Sequence, residues 1–282
     1  MARVARPRDH IIDRLIAERA PRLAASAAWP LIRPLLYLAL DYRKARRMAD
    51  AIAPLSGRAA LAYISDLLRI KVEVRGLERV PRAGRLIVVC NHPTGIADAV
   101  AVWDALGGAR PDMMFYANAD AQRVAPRFDE LLIPVQWMDE NRTRERTRIT
   151  LTLTRRAMEA ERALIIFPAG RLARRASGRE LADPPWASSA FSVARRYEAP
   201  VLPMHLSGPW STLFHFFNDF SGELRDITLF HELLNKRGKR FDLLIGHAVA
   251  PGTLPADSVD AALAMKAWVE HGLPRDPDGV FA

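Results

Sequence analysis

Two periodicities of apolar positions divide this chain. From residue 11 to about 69 they recur at helical spacing, punctuated by Pro21, Pro30, Pro34, Pro54 and Gly57, which predicts three or four helices. Beyond them, short and almost continuously apolar runs predict strands over 71–75, 86–90, 113–117, 133–138, 163–167, 201–206 and 241–249. Helical patterns fall between several of these, over 96–106, 121–132, 147–160 and 187–197. Strands that alternate with helices and carry no polar face belong in a sheet covered on both sides. The expected fold class is therefore α/β: a mixed, largely parallel sheet flanked by helices, with an N-terminal helical extension. The expected division is 1–70 for that extension, 71–270 for the α/β domain and 271–282 for a loose Pro/Asp-rich tail.

Within the extension, residues 29–40 are apolar apart from Arg33, and Asp41-Tyr42-Arg43-Lys44-Ala45-Arg46-Arg47 follows at once. An apolar segment ending in a basic cluster suits an interfacial anchor, because cations reach anionic headgroups while the apolar face enters the lipid boundary. A helix packed on the domain with a solvated basic end fits the same pattern. The formal net charge of +9 also favours an anionic partner. Among such partners, a membrane surface or a phosphate-bearing ligand is preferred to nucleic acid, for which zinc-finger spacing, a helix-turn-helix and an aromatic-basic RNA signature are all missing. The longest stretch free of acidic or strongly basic residues, 199–218, is interrupted by Pro200, Pro203, Gly208 and Pro209, so it does not predict a spanning helix. The first ten residues lack the apolar core of a secretory signal. The expectation is a cytoplasmic protein, peripheral on the inner face of the cell membrane.

The candidate chemistry begins where the run 86–90 ends. Asn91-His92 leads into Pro93-Thr94-Gly95, and Asp98 falls in the first turn of the helix that follows. On an uninterrupted helix His92 and Asp98 would face away from each other, but the Pro/Gly turn lets the chain fold back so that the carboxylate approaches the imidazole. A histidine held in this way takes a proton from an alcohol; taken alone, such a pair is more often a structural contact than a catalytic one. A second candidate is Phe167-Pro168-Ala169-Gly170-Arg171, a strand end running into a tight turn with backbone N–H groups and a guanidinium suited to phosphate or carboxylate. An ordinary turn with a solvated arginine is its plain alternative. The single cysteine, Cys90, offers no disulfide framework, although a Cys/His nucleophilic pair with His92 has to be weighed. His205 and His215 lack the spacing of a metal site and are expected to be core or rim residues.

In order along the chain, Asn91-His92 with Asp98, then Phe167-Pro168-Ala169-Gly170-Arg171, then Val201-Leu202-Pro203-Met204, resemble the blocks of the glycerolipid acyltransferase superfamily over about 71–251. The resemblance implies that His92 is the general base and Asp98 its partner, with Asn91, Pro93, Thr94, Gly95 and the turn Phe167, Pro168, Ala169, Gly170 and Arg171 near the substrates. It implies an acyl thioester of CoA or acyl carrier protein as donor, a lysolipid hydroxyl as acceptor, and no metal or other cofactor. Arg142, after Val135-Gln136-Trp137-Met138-Asp139-Glu140-Asn141, is the match for the block that ends in a headgroup-binding arginine, and Asn118 is placed in the acceptor pocket on the same grounds. Arg144, Arg146 and Arg148 are expected to form a solvated helix start or a lipid-facing patch. Two departures stand out: five residues rather than four separate His92 from Asp98, and Ala169 occupies the place of a glutamate. Both are similar to a haemolysin-like branch, which also resembles Leu206-Ser207-Gly208 with Ser211 and Phe214, and Glu232-Leu233-Leu234-Asn235-Lys236-Arg237-Gly238. That branch points away from plain lysophosphatidate and towards lysophospholipid or lyso-ornithine lipid acceptors. A catalytically silent, membrane-bound scaffold with the same fold is the alternative reading.

Overall fold

The computed structural model describes residues 9–135, 143–177 and 180–282. Its strands are β1 (Lys71–Arg75), β2 (Leu86–Cys90), β3 (Met114–Asn118), β4 (Leu132–Val135), β5 (Ala163–Ile166), β6 (Arg174–Ser177), β7 (Glu180–Ala182), β8 (Val201–Ser207) and β9 (Arg240–Ile245). Among the described residues seven of these form one sheet in the order β1-β9-β8-β2-β5-β3-β4, with β6 and β7 a separate antiparallel hairpin. Every pairing in the large sheet is parallel except β8 with β9. The sheet is thus mixed and largely parallel.

β2 shows why its run is apolar throughout. Leu86, Val88 and Cys90 enter one core and Ile87 and Val89 the other, as alternation along a strand requires. The first core is closed by the N-terminal helices α1 (Ile11–Arg19), α2 (Pro21–Ala25), α3 (Trp29–Ala39), α4 (Tyr42–Ile52) and α5 (Gly57–Leu68), with α6 (Ile96–Leu106) and the short α7 (Asp120–Val124). The second is covered by α8 (Arg144–Glu159), α9 (Ser189–Arg196) and, after α10 (Thr212–Asn218), α11 (Gly222–Ile227) and α12 (Leu229–Leu234) on the first face, by α13 (Ser258–Ala267).

The N-terminal extension is therefore part of the domain's own core. α4 buries Ala45, Met48, Ala49 and Ile52, the i, i+3, i+4, i+7 stripe of an amphipathic helix, and the last three lie in the same cluster as Leu86 and Val88. α3 behaves differently: only Trp29 is buried, and Leu31, Leu35 and Leu38 are 79%, 71% and 81% exposed.

Elsewhere the structure corrects the pattern. The helix expected over 121–132 splits into α7 and a 3₁₀ turn, Pro126–Glu130, because Pro126 cannot donate the next helical hydrogen bond. The tail is not loose: Leu273 is fully buried, Asp278 pairs with Arg75 and Arg79, and Phe281 packs edge-on against Trp268. No described helix is long and apolar enough to cross a membrane.

Candidate active site

The two candidate motifs leave the sheet side by side. β2 pairs directly with β5, Val89 opposite Ile166, and β3 lies on the other flank of β5. The loops after β2 and β5 and the end of β3 thus open on the same carboxyl edge, where open α/β sheets form their clefts.

At that edge His92 Nδ1 lies 2.9 Å from Asp98 Oδ2. The reach comes from the turn: Gly95, at φ +88°, caps α6, and Asp98 sits three residues on, its carboxylate accepting the Gly95 N–H at 3.1 Å as in half of a capping box. The Thr94 N–H, at 2.9 Å, and the Thr94 hydroxyl bind the same carboxylate. Asp98 is fully buried and surrounded by donors. An ionised carboxylate only accepts, so Nδ1 carries the proton and Nε2 the lone pair. Nε2 has no hydrogen-bond partner among the described residues. A side chain at position 95 would meet Leu172 at 3.1 Å in addition to the unfavourable φ, so glycine is required there.

The second motif completes the setting. Phe167 lies against the imidazole, ring centroids 4.6 Å apart, and Ala173 N–H donates to the His92 carbonyl at 2.9 Å. Gly170, at φ +63°, closes the turn by donating its N–H to Phe167 O at 3.0 Å. Of the exposed N–H groups anticipated in this turn, that of Gly170 is thus committed, and the turn also presents the Arg171 guanidinium, which is exposed and lines the cavity.

That cavity, of about 300 Å³, runs from His92 into the first core. Its walls are apolar and come from both parts of the chain: Leu15, Met48 and Ile64 from the N-terminal helices, and Val100, Phe115 and Leu233 from the α/β part. Its polar rim holds His92, Arg171, Asn118 and the Arg19–Asp120 ion pair, 2.8 Å long.

The remaining candidates fall in different places. Phe167, Gly95 and Gly170 line the cavity, whereas Asn91, Pro93, Thr94, Pro168 and Ala169 do not. Asn91 instead clamps β2 to β8, its amide donating to Leu206 O at 2.9 Å and accepting Leu206 N–H at 2.7 Å. Pro168 is buried behind the turn, and Ala169 packs against the second core. Asn118 accepts the Asp120 N–H at 2.9 Å while facing the rim. Arg142 lies outside the described residues; Arg144, Arg146 and Arg148 are exposed on the first turns of α8. Cys90 is fully buried, and burial pushes its thiol up, which disfavours the thiolate a nucleophile needs. His205 bonds Val269 O at 2.9 Å and His215 stacks on Trp210, and the described residues contain no group of three metal-binding side chains.

One residue escaped the sequence reading altogether. Asp183 is buried beneath the β2 end and accepts the His92 main-chain N–H with both oxygens, at 3.1 and 3.2 Å. Trp186 Nε1 donates to the same carboxylate at 2.9 Å. Burial pushes its carboxyl up to about 6, against the lowering effect of these donors. The only local sign was an aspartate followed by Pro184-Pro185-Trp186, a run with no periodicity.

Residues 71–207, the span that contains both motifs, match the Acyltransferase family model. Over that span, just under half of the chain, the sequence is similar to the acyltransferase family. The chain is 28% identical over 190 residues to a lyso-glycine lipid O-acyltransferase of Phocaeicola vulgatus, covering 65% of this chain and 66% of that protein. With a protein of the same description from Bacteroides thetaiotaomicron it shares 24% over 212 residues, 73% and 74% of the two chains. The aligned stretch is thus just under two thirds of the first relative's length. The crystal structure of the 1-acyl-sn-glycerophosphate acyltransferase PlsC from Thermotoga maritima is similar over 93% of this chain and 94% of its own, at 14% identity and a TM-score of 0.49.

Proposed function

We propose that this protein moves a fatty acyl group from an acyl thioester, of CoA or acyl carrier protein, to the hydroxyl of a lysolipid at the inner face of the cell membrane. The observation that carries the reading is the His92–Asp98 pair, with Nε2 unpartnered at the mouth of an apolar cavity. Nε2 removes the proton of the acceptor hydroxyl, and the oxygen attacks the thioester carbonyl. The tetrahedral intermediate expels the thiolate, which takes the proton from the imidazolium, leaving an ester and a free thiol. Asp98 holds the tautomer and stabilises the transient positive ring. The apolar cavity suits an acyl chain, and Arg171 at its rim suits an anionic headgroup.

The acceptor we favour is a lysolipid whose headgroup carries a carboxylate, as an amino-acid lipid does. The descriptions of the two relatives and the neutral Ala169 support this choice over a lysophosphatidate. The exposed leucines of α3, followed by the basic start of α4, support peripheral docking. The intact base pair speaks against the silent scaffold.

Purified protein incubated with a long-chain acyl thioester and a panel of lysolipids tests the proposal by thiol release and by the diacyl product. Transfer is expected with wild type and lost in His92→Ala. Full transfer by His92→Ala rejects the assigned base.

A further inference from the structure

The base is held from two sides, and only one of them is explained by the proposed reaction. Asp98 holds the ring; Asp183 holds the main chain. A surface turn would satisfy the His92 N–H with water or a backbone carbonyl, whereas here a carboxylate is buried for the purpose, which is unfavourable unless the site gains from it. Asp183 is in turn anchored on the far side. Its own N–H donates to Glu270 Oε1 at 2.6 Å, Glu270 is bound by Lys266, and Trp186 Nε1 fixes Oδ2. A line of bonds thus crosses from Lys266 near the end of α13, through Glu270 just beyond it, to the end of β2. The ionisable groups facing Asp183 are Cys90 and His92 at the end of β2 and Glu270 with its partner Lys266; burial keeps Cys90 neutral.

Resting on His92 as the base, we propose that Asp183 is a positioning residue for acyl transfer: it fixes the His92 main chain at the strand end and supplies a second negative charge beside the imidazole that becomes positive during the reaction. A carboxylate near its ordinary value would do this over the whole working range. Burial brings Asp183 to about 6 instead, so its charge and its grip weaken together as the medium becomes mildly acidic.

The test compares wild type with Asp183→Asn and Trp186→Phe. Asparagine keeps the size and one acceptor oxygen but removes the charge and turns an amide donor towards the His92 N–H or the indole. Phenylalanine leaves the carboxylate and removes one donor that stabilises its ionised form. Thermal melting establishes that each variant is folded; should Asp183→Asn fail to fold, Trp186→Phe carries the test. NMR titration of the His92 ring, assigned by its loss in His92→Ala, needs no turnover. In either variant the ring is expected to titrate at lower pH than in wild type, by up to about one unit for the loss of a nearby opposite charge. In the transfer assay kcat is expected to fall about tenfold or more in Asp183→Asn, with KM for the thioester little changed and the acid limb of kcat/KM moved to lower pH. An unmoved ring titration in the folded variants overturns the proposal, whatever the turnover. A moved titration with transfer that survives in His92→Ala would instead sink the reading of His92 as the base, leaving the coupling of Asp183 to its ring.

Discussion

Replacing the exposed leucines of α3 tests membrane docking most directly. Leu31, Leu35 and Leu38 stand at i, i+4 and i+7 on one face, and each is at least 71% exposed. Moving a leucine side chain out of water is worth about 1.5–3 kcal/mol, so three that are already about three-quarters exposed contribute about 3.5–7 kcal/mol on entering the lipid boundary. The basic start of α4 adds less. Lys44 is held by Asp41 at 2.7 Å and Arg46 lies 3.9 Å from Asp50, which leaves Arg43 and Arg47 as unpaired charges worth about 1 kcal/mol each near an anionic surface. The triple variant Leu31→Ser/Leu35→Ser/Leu38→Ser should therefore lose about a thousandfold or more in partitioning onto phosphatidylglycerol vesicles. Neutralising Arg43 and Arg47 should lose only about thirtyfold, and that part alone should vanish in high salt. Flotation measures both, and an unchanged melting temperature confirms that the exposed leucines were not holding the fold. Wild-type flotation by the triple variant would refute the docking role of α3.

Other consequences of the site and scaffold are equally open to measurement. Asp98→Asn turns an amide donor towards the four donors around the carboxylate and disturbs the His92 tautomer; a fall in kcat of about 10³–10⁴, read by thiol release, is expected, and a loss below tenfold would contradict the assigned role. Gly95→Ala must adopt φ +88° against Leu172 and should cost about 1–3 kcal/mol in urea denaturation while lowering activity. Arg110 is fully buried and bonds Asp112 and the carbonyls of Pro81, Gly84 and Glu161; Arg110→Met leaves these acceptors bare and should cost about 3–5 kcal/mol with no specific effect on KM. Asp183 binds its proton more tightly folded, at about 6, than at its ordinary 3.8, so its contribution to stability is present at low pH and is lost as pH rises from about 4 to 6. That loss corresponds to about 3 kcal/mol, and wild type should fall relative to Asp183→Asn by this order between pH 4 and 7; parallel stability curves would show that the carboxyl is not shifted.

What the sequence determined by itself is local. An unbroken apolar run specifies β2, and the helix expected over 96–106 coincides with α6 because Gly95 and Asp98 are its own start signals. The approach of Asp98 to His92 was legible for the same reason: both belong to one turn, whose shape follows from Pro93 and Gly95. The motif order along the chain was legible as well. Only the tertiary structure decided that β2 lies beside β5, which sets Phe167 against His92, and that α1, α4 and α5 wall the cavity into which His92 opens. The pattern marked those helices as amphipathic but did not say what their apolar faces would meet. It also left Asp183 unmarked, because its partner is a main-chain N–H 91 residues away. Periodicity and capping act within a turn or a strand. The choice of a distant partner is made by the whole core at once, through burial and the need to satisfy each buried polar group.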